Sequence, residues 1–400
     1  MTQSFFEKFD EARYELTIGD EDAPEKNVLQ PGLVAVFWIN EAYKRRSDIA
    51  DALALYAKHY GDKLRWGYFD ENIEGRKFDS TMLAACDQFI RSEDPMAGVE
   101  FLWSSQQGFQ FVGDYGVDGD SSAAWYEEVH KPLSYLRFYL PVEELHDSTG
   151  SWQRLLVECC EILKPLHGFA GLGIQHSYEH EDFQSVEYEL AQDFNGFDVG
   201  DPAIGDKKFR TGIKSINWYT ILDAQWVAKL GGAEEIAKQL NDDRIQLLPY
   251  SHGLIVKAGE WPELGWVKKD PFPELYVKVN RVLKPVRAPE VQSFHYGSIA
   301  GEARFGPRSS NAWMRRFDDV PEQPIRAEPS SKVAPLAATA AGARLRCEAG
   351  QPCPREGFWF TPAQAGSRRF FKAGEVMPEV GGDYGTTIWQ WDQNQEPPKA

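Results

Sequence analysis

The residue types best suited to metal chemistry lie in HSYEH, residues 176 to 180. His176, Glu179 and His180 match the H-x-x-E-H pattern, in which two imidazoles bind zinc and a glutamate acts on the zinc-bound water. The following stretch, EDFQSVEYEL, lacks the spacing of an apolar helical face, so nothing in the sequence holds both histidines on one side. We therefore interpret HSYEH as a solvated turn and keep a zinc-dependent hydrolase as an alternative.

Two cysteines, Cys347 and Cys353, lie in RCEAGQPCPREGFWF near the end of the chain. A tetrahedral zinc site needs four ligands, and the residues after Cys353 include neither cysteine nor histidine. Packed thiols in a turn, a labile disulfide and a partial metal site remain open for this pair. Pro352, Pro354 and Gly357 favour a turn that presents the aromatic run FWF as one face of a small sheet.

Patterns for nucleophilic or nucleotide chemistry are missing from the sequence. There is no G-x-S-x-G elbow, no phosphate-binding G-x-x-x-x-G-K loop and no G-x-G-x-x-G turn after a strand. The glycines of HGFAGLGI favour instead a strand that approaches a neighbouring backbone. Cys86, Cys159 and Cys160 fall in or beside apolar helical patterns and are predicted to be core thiols. We predict no catalytic residue, no cofactor and no metal.

Two stretches combine many acidic residues with aromatic residues. EDFQSVEYELAQDFNGFDVGDPAIGD (181–206) holds eight acids and no Lys or Arg, and DYGVDGDSSAAWYEE (114–128) holds five acids. A protein-binding surface uses aromatic anchors in charged surroundings, but rings facing the core with acids facing water would give the same pattern. The sequence leaves both interpretations open. The predicted partner-binding residues are Asp114, Asp118, Asp120, Glu179, Glu181, Asp182, Glu187, Glu189, Asp193, Asp198 and Asp201.

The net charge of −18 arises entirely before residue 321, where 52 acidic residues face 34 basic ones. Such a surface repels phosphate backbones and attracts basic partners, although acidic excess also serves solubility alone. The first residues are acidic where a secretory signal would be basic, and no run approaches the ~20 apolar residues of a membrane span. With five scattered cysteines, we expect a cytoplasmic protein that binds neither nucleic acid nor membrane.

Three segments repeat an apolar strand, a helix of three to four turns and a second strand. The first contains LVAVFWIN (33–40), a helix SDIADALALYAKHY with Ser47 as its N-cap, and LRWGYF. The second contains LSYLRFYLPV, WQRLLVECCEIL and FAGLGIQ. The third contains INWYTIL, two helices divided by Gly231 and Gly232, and the hairpin IQLLPYSHGLIVKAG. With the alternating stretch VEFLWSSQQGFQFVG (99–113), they predict an α+β fold of mixed or antiparallel sheets covered by helices.

Composition divides the chain into three parts. Residues 1–317 form the predicted body, which two subdomains could make up. Residues 318–345 are rich in Pro, Ala and Ser, which is typical of a linker. Residues 346–400 contain enough aromatic residues for a small, strand-rich C-terminal module.

Several phrases of the sequence occur in a familiar order: LKPLHGFAGLGIQ, INWYTIL, LGGAEEIAKQL, YSHGLIVKAGEWPELGW and PELYVKVNRVLKPVR. Over about residues 10 to 290 the chain resembles the TsiV family of type VI secretion immunity proteins, which are found beside effectors with a VRR-Nuc nuclease domain. The tail, with GQPCPREGFWFTP, resembles a Cys-Pro-x-x-Gly-aromatic-Trp module at the ends of immunity proteins.

The resemblance implies a binding function, that of a cytoplasmic antidote which holds a cognate type VI effector inactive. It carries over no catalytic residue. A nuclease groove must be basic to hold phosphates, so an acidic, aromatic-rich surface could occupy it. The expected partner is therefore an effector nuclease, and the alternative is an adaptor of the secretion system.

Overall fold

A computed structural model describes the chain over residues 4–19, 26–69, 75–146, 149–178, 183–204, 207–295, 303–320, 346–361, 367–380 and 387–391. The chain divides into two compact units, Met1–Glu322 and Gln323–Ala400. No helix in these ranges is both long and apolar enough to cross a bilayer.

The helices and strands of the described residues are numbered in chain order. The helices are α1 (Phe5–Leu16), α2 (Arg46–Tyr60), α3 (Ser80–Ser92), α4 (Ala124–His130), α5 (Thr149–Leu163), α6 (Gln184–Asp193), α7 (Ala224–Lys229), α8 (Ala233–Leu240), α9 (Glu274–Leu283) and α10 (Pro307–Met314). The strands are β1 (Ile18–Gly19), β2 (Asn27–Ile39), β3 (Trp66–Phe69), β4 (Arg76–Lys77), β5 (Val99–Ser104), β6 (Gly116–Ser121), β7 (Ser134–Leu140), β8 (His167–His176), β9 (Tyr219–Asp223), β10 (Ile245–Tyr250), β11 (Gly253–Ala258), β12 (Arg346–Glu348), β13 (Gly357–Phe360), β14 (Arg369–Phe371) and β15 (Ile388–Trp391).

The first unit is built on one antiparallel sheet. Its strands follow the order β10-β11-β9-β8-β2-β7-β6-β5-β3-β4, and β1 pairs with β2. β2 lies between β8 and β7, and every one of its residues after Asn27 is buried. This burial on both faces is what the unbroken apolar run of LVAVFWIN predicts. The predicted α+β class is therefore confirmed.

Helix α2 packs on this sheet through its apolar face. Ile49, Leu53 and Tyr56 are buried, and the Tyr56 hydroxyl donates to the Tyr139 carbonyl in β7 at 2.9 Å. The predicted helix is confirmed, but the prediction of Ser47 as its N-cap is wrong. Helix α2 begins at Arg46, so Ser47 already lies in its first turn. The Arg46 side chain turns into the protein, where it binds backbone carbonyls.

Two local predictions fail because side chains compete for backbone hydrogen bonds. Strand β5 stops at Ser104, whose hydroxyl accepts from the Gln106 amide, so residues 105–113 form bends and irregular chain rather than a second alternating strand. In INWYTIL the strand starts only at Tyr219, because the Asn217 side chain accepts from the Trp218 amide. The break between α7 and α8 is confirmed, with Gly231 and Gly232 at φ of 92° and 95°.

The second unit contains a four-stranded antiparallel sheet in the order β12-β15-β13-β14. Its core holds Cys347, Cys353, Trp359, Phe371, Met377 and Trp389. The predicted strand-rich C-terminal module is thus present. The predicted linker falls on residues 321–345 for most of its length, and these lie outside the described residues.

Candidate functional site

The acids of the predicted 181–206 surface divide into buried and exposed groups. Glu187 on α6 is buried and accepts from His176 Nε2 at 2.9 Å, His295 Nε2 at 2.6 Å and the Gly200 amide at 2.8 Å. Burial alone would raise the pKa of Glu187, but the two histidines outweigh it and hold this pKa well below its usual range. Glu187 therefore ties α6 to the end of β8 and to the segment around residue 295.

Three other predicted acids are also held inside the protein. Arg137 Nε donates to Asp118 at 2.8 Å, and its Nη1 lies 3.8 Å from Asp201. Lys214 Nζ lies 2.8 Å from Asp198, whose pKa burial raises to about 6. The side chains of Asp118, Asp198 and Asp201 are no more than 9% exposed.

The surface position expected for these four acids is therefore corrected. Asp118, Asp198 and Asp201 form internal ion pairs and Glu187 accepts from two histidines, because a buried carboxylate needs partners to offset its desolvation. They hold the fold together, and a partner protein has little access to them.

The remaining predicted acids stay accessible or lie outside the described residues. Asp114 and Glu189 are exposed, and Asp193 is half-buried. Asp120 is half-buried beside Glu100, its register partner on β5. Burial, and to a smaller extent the negative charge of Glu100, raises the pKa of Asp120 to about 7. Glu179, Glu181 and Asp182 lie outside the described residues.

The histidine motif adopts a packed rather than a solvated arrangement where it is described. His176 ends β8 with its side chain 10% exposed, and Ser177 beside it is buried. The His176 Nε2 atom, one of the two ring nitrogens that can bind zinc, is engaged by Glu187. His180 lies outside the described residues, and within the described ranges no cluster of three His, Cys, Asp or Glu side chains could hold a metal.

The thiols all lie in packed surroundings. Cys86, Cys159 and Cys160 are fully buried in the core of the first unit, as predicted. In the second unit Cys347 and Cys353 are buried with Trp359 and Trp389. The Cys353 thiol donates to the Arg355 carbonyl at 3.1 Å, and the Cys353 amide donates to the Glu375 carbonyl at 2.7 Å. These contacts favour the packing interpretation of the pair.

The two acidic stretches differ in where they place their aromatic residues. Phe194 and Phe197 of the first stretch are buried in the core. Trp125 and Tyr126 of the second are 50% and 42% exposed on α4, next to Val129, which is 68% exposed. The sequence left open whether these rings face the core or form an accessible surface. Rings of the first stretch face the core, and rings of the second are exposed. Among the described aromatic residues of these two stretches, the exposed ones lie on α4, and we call Trp125, Tyr126 and Val129 the α4 face.

Two arginines, the buried Arg46 and the partly buried Arg210, hold α4 and the loop beside it. Arg210 pairs with Glu127 on the inner side of α4 and donates to the Lys131 carbonyl at 2.7 Å and the Pro132 carbonyl at 2.8 Å. Arg46 donates to the carbonyls of Glu93 at 2.9 Å and Asp94 at 3.0 Å, and to the Ser121 hydroxyl at 3.3 Å.

The loop and the helix are also joined directly, because the Ala124 amide donates to the Pro95 carbonyl at 2.8 Å. Sequence reasoning missed these contacts, since Arg46 and Arg210 lie far along the chain from α4. A signal for the face itself was available: Ala124 and Glu127 share one side of a helix, and Trp125, Tyr126 and Val129 share the other.

Within the described residues, the buried acids named above have internal partners, and an apolar helix face lies in solvent. A family model described as type VI immunity for VRR-NUC matches residues 48–317. The chain belongs to this family, TsiV, and is a type VI immunity protein rather than an enzyme.

A solved structure supports the same fold. The Pseudomonas aeruginosa T6SS protein PA0821 is similar with a TM-score of 0.69 at 21% identity, over 79% of this chain and 91% of that one. No curated protein matches the chain.

Proposed function

We propose that this protein binds a cognate type VI effector nuclease in the cytoplasm and occludes its basic active site with an acidic, aromatic-rich surface. The family match carries the proposal, because the matching model is described as immunity for VRR-NUC. The acidic excess of the first 320 residues supports it, since phosphate-binding grooves are basic and complementary charge accelerates association.

The accessible carboxylates are the residues expected to steer the encounter. Asp114, Glu189 and Asp193 reach solvent, whereas the buried acids are already paired. Exposed charges that are distant from the contact contribute mainly to the association rate, and salt screens them over about 10 Å at 0.1 M.

The test measures protection and association with the effector encoded by the adjacent gene. Purified protein should abolish the effector's cleavage of DNA, and cells producing both should survive. Raising salt from about 50 to 300 mM should slow association, as should the variant Asp114→Lys, Glu189→Lys, Asp193→Lys. Glu234→Lys, at an exposed site on α8, is the matched control. Lack of binding and protection by the unmodified protein would refute the function, and insensitivity of the rate to salt and charge reversal would refute electrostatic steering.

A further inference from the structure

Helix α4 is oriented with its large apolar residues toward solvent. Its buried side carries Ala124 and Glu127, and its exposed side carries Trp125, Tyr126 and Val129. A surface helix ordinarily turns its apolar residues to the core and its charges to water. Here the inward carboxylate is anchored through one oxygen, Oε1, which accepts from Arg210 and from the Glu41 amide at 2.7 Å. The reversal is therefore a stable property of the fold, and it leaves an apolar surface uncovered.

The α4 face is continued by the loop that Arg46 holds. Met96 in this loop is 57% exposed, and its neighbour Pro95 bonds to the first residue of α4. On the face itself the Trp125 and Tyr126 rings pack edge to face, with centroids 5.5 Å apart. Rings that are already positioned lose little conformational freedom when a partner binds, so more of the contact energy appears as affinity.

The charges around the α4 face indicate the chemistry of its partner. Residues 92–130 contain eight acids and no Lys or Arg. Of these acids, Asp118 and Glu127 are paired with arginines, whereas Asp94, Glu100 and Glu128 are exposed. His130 and Lys131 are exposed at the C-terminal end of α4, so the acidic character lies toward its N-terminus. A basic protein surface fits this arrangement, and its Lys or Arg side chains can also lie over the exposed rings.

We infer that the α4 face is the anchor at which this protein docks onto a basic surface of the effector, with Trp125 and Tyr126 as the residues that carry most of the affinity. The inference rests on the proposed function, because it takes the effector as the occupant. Exposed aromatic residues at the centre of an interface are the usual carriers of binding energy, and surrounding acids add specificity and rate.

The decisive experiment compares the full-length protein with Trp125→Ala/Tyr126→Ala in binding to the effector of the adjacent gene. We expect the dissociation constant to rise by about 30-fold or more, mainly through faster dissociation, with loss of protection in cells. Glu128→Lys should slow association instead. Tyr14→Ala is the matched control, because Tyr14 is 90% exposed on α1, and it should bind like the unmodified protein. Trp125 and Tyr126 are 50% and 42% exposed, so their truncation should lower the melting temperature only slightly, and Glu128→Lys and Tyr14→Ala should leave it unchanged.

Three results would overturn the inference, and they have different meanings. If the unmodified protein binds and protects and the double variant does so equally well, the effector docks elsewhere and the proposed function survives. If the unmodified protein is a dimer by light scattering and the double variant is a monomer, the α4 face contacts a second copy. If the unmodified protein neither binds nor protects, the proposed function fails and this inference fails with it.

Discussion

Glu187 is the residue whose removal should damage the fold most clearly. Its two oxygens accept from two histidines and one backbone amide, and a glutamine would place an amide group against one of these donors. We expect Glu187→Gln to lower the free energy of unfolding by about 2–3 kcal/mol, measured by urea denaturation. Glu189→Gln, on the exposed side of the same helix, should change it by less than about 0.5 kcal/mol. Equal effects of the two substitutions would contradict the role given to Glu187.

Asp120 gives a second prediction, with a defined pH dependence. Its pKa is raised to about 7 in the folded protein, so the folded state holds a proton that the unfolded state has already released above about pH 4. Stability should therefore fall as pH rises from 4 to 7, and Asp120→Asn should remove that loss. We expect the variant to be more stable by about 1–3 kcal/mol at pH 8 and equal to the unmodified protein near pH 4. An equal gain at both pH values would exclude titration of Asp120 as the cause.

Among the secondary-structure elements, α4 is tied to the rest of the first unit by the Glu127–Arg210 ion pair in addition to backbone hydrogen bonds. Glu127→Gln weakens the contact with Arg210, and the helix is too short to be stable without tertiary contacts. Amide hydrogen exchange over residues 124–130 should become about 10- to 100-fold faster, as measured by mass spectrometry. Glu128→Gln, one position away and exposed, should leave the exchange unchanged. Unaltered exchange in Glu127→Gln would mean that backbone contacts alone hold α4.

The elements that could be predicted from sequence are those whose pattern is local. The apolar run of β2, the spacing of Ile49, Leu53 and Tyr56 in α2 and the glycine pair after α7 each specify their structure within a few residues. The positions of the acids could not be predicted in this way. Glu187 meets His295 across 108 positions and Arg210 meets Glu127 across 83, so the partners that bury these carboxylates are known only once the chain is folded.

For the whole molecule, the two compact units predict two separable unfolding events. Among its described residues the second unit has a core of six buried side chains, and Trp359→Ala removes one fully buried ring at a cost of about 3–5 kcal/mol. That loss should unfold the second unit alone, because a core of this size supplies little excess stability.

The prediction is tested with a chain ending at residue 320 and with full-length Trp359→Ala. In both proteins the first unit should unfold at the same urea midpoint as in the unmodified protein. This midpoint is measured from the amide-exchange protection of β2 and β8. A lower midpoint in either protein would show that the units stabilise each other.

The anchoring of the loop beside α4 has a consequence for how this protein can diversify. Arg46 binds the loop through the main-chain carbonyls of Glu93, Asp94 and Ala97, and backbone oxygens are present whatever side chains occupy those positions. The side chains at 94, 96, 125, 128 and 129 can thus change during evolution while the backbone of the loop and of α4 keeps its position. On our inference that the α4 face meets the effector, the protein could adapt to a changed effector by substitutions at these positions, as antibody loops vary on a constant framework.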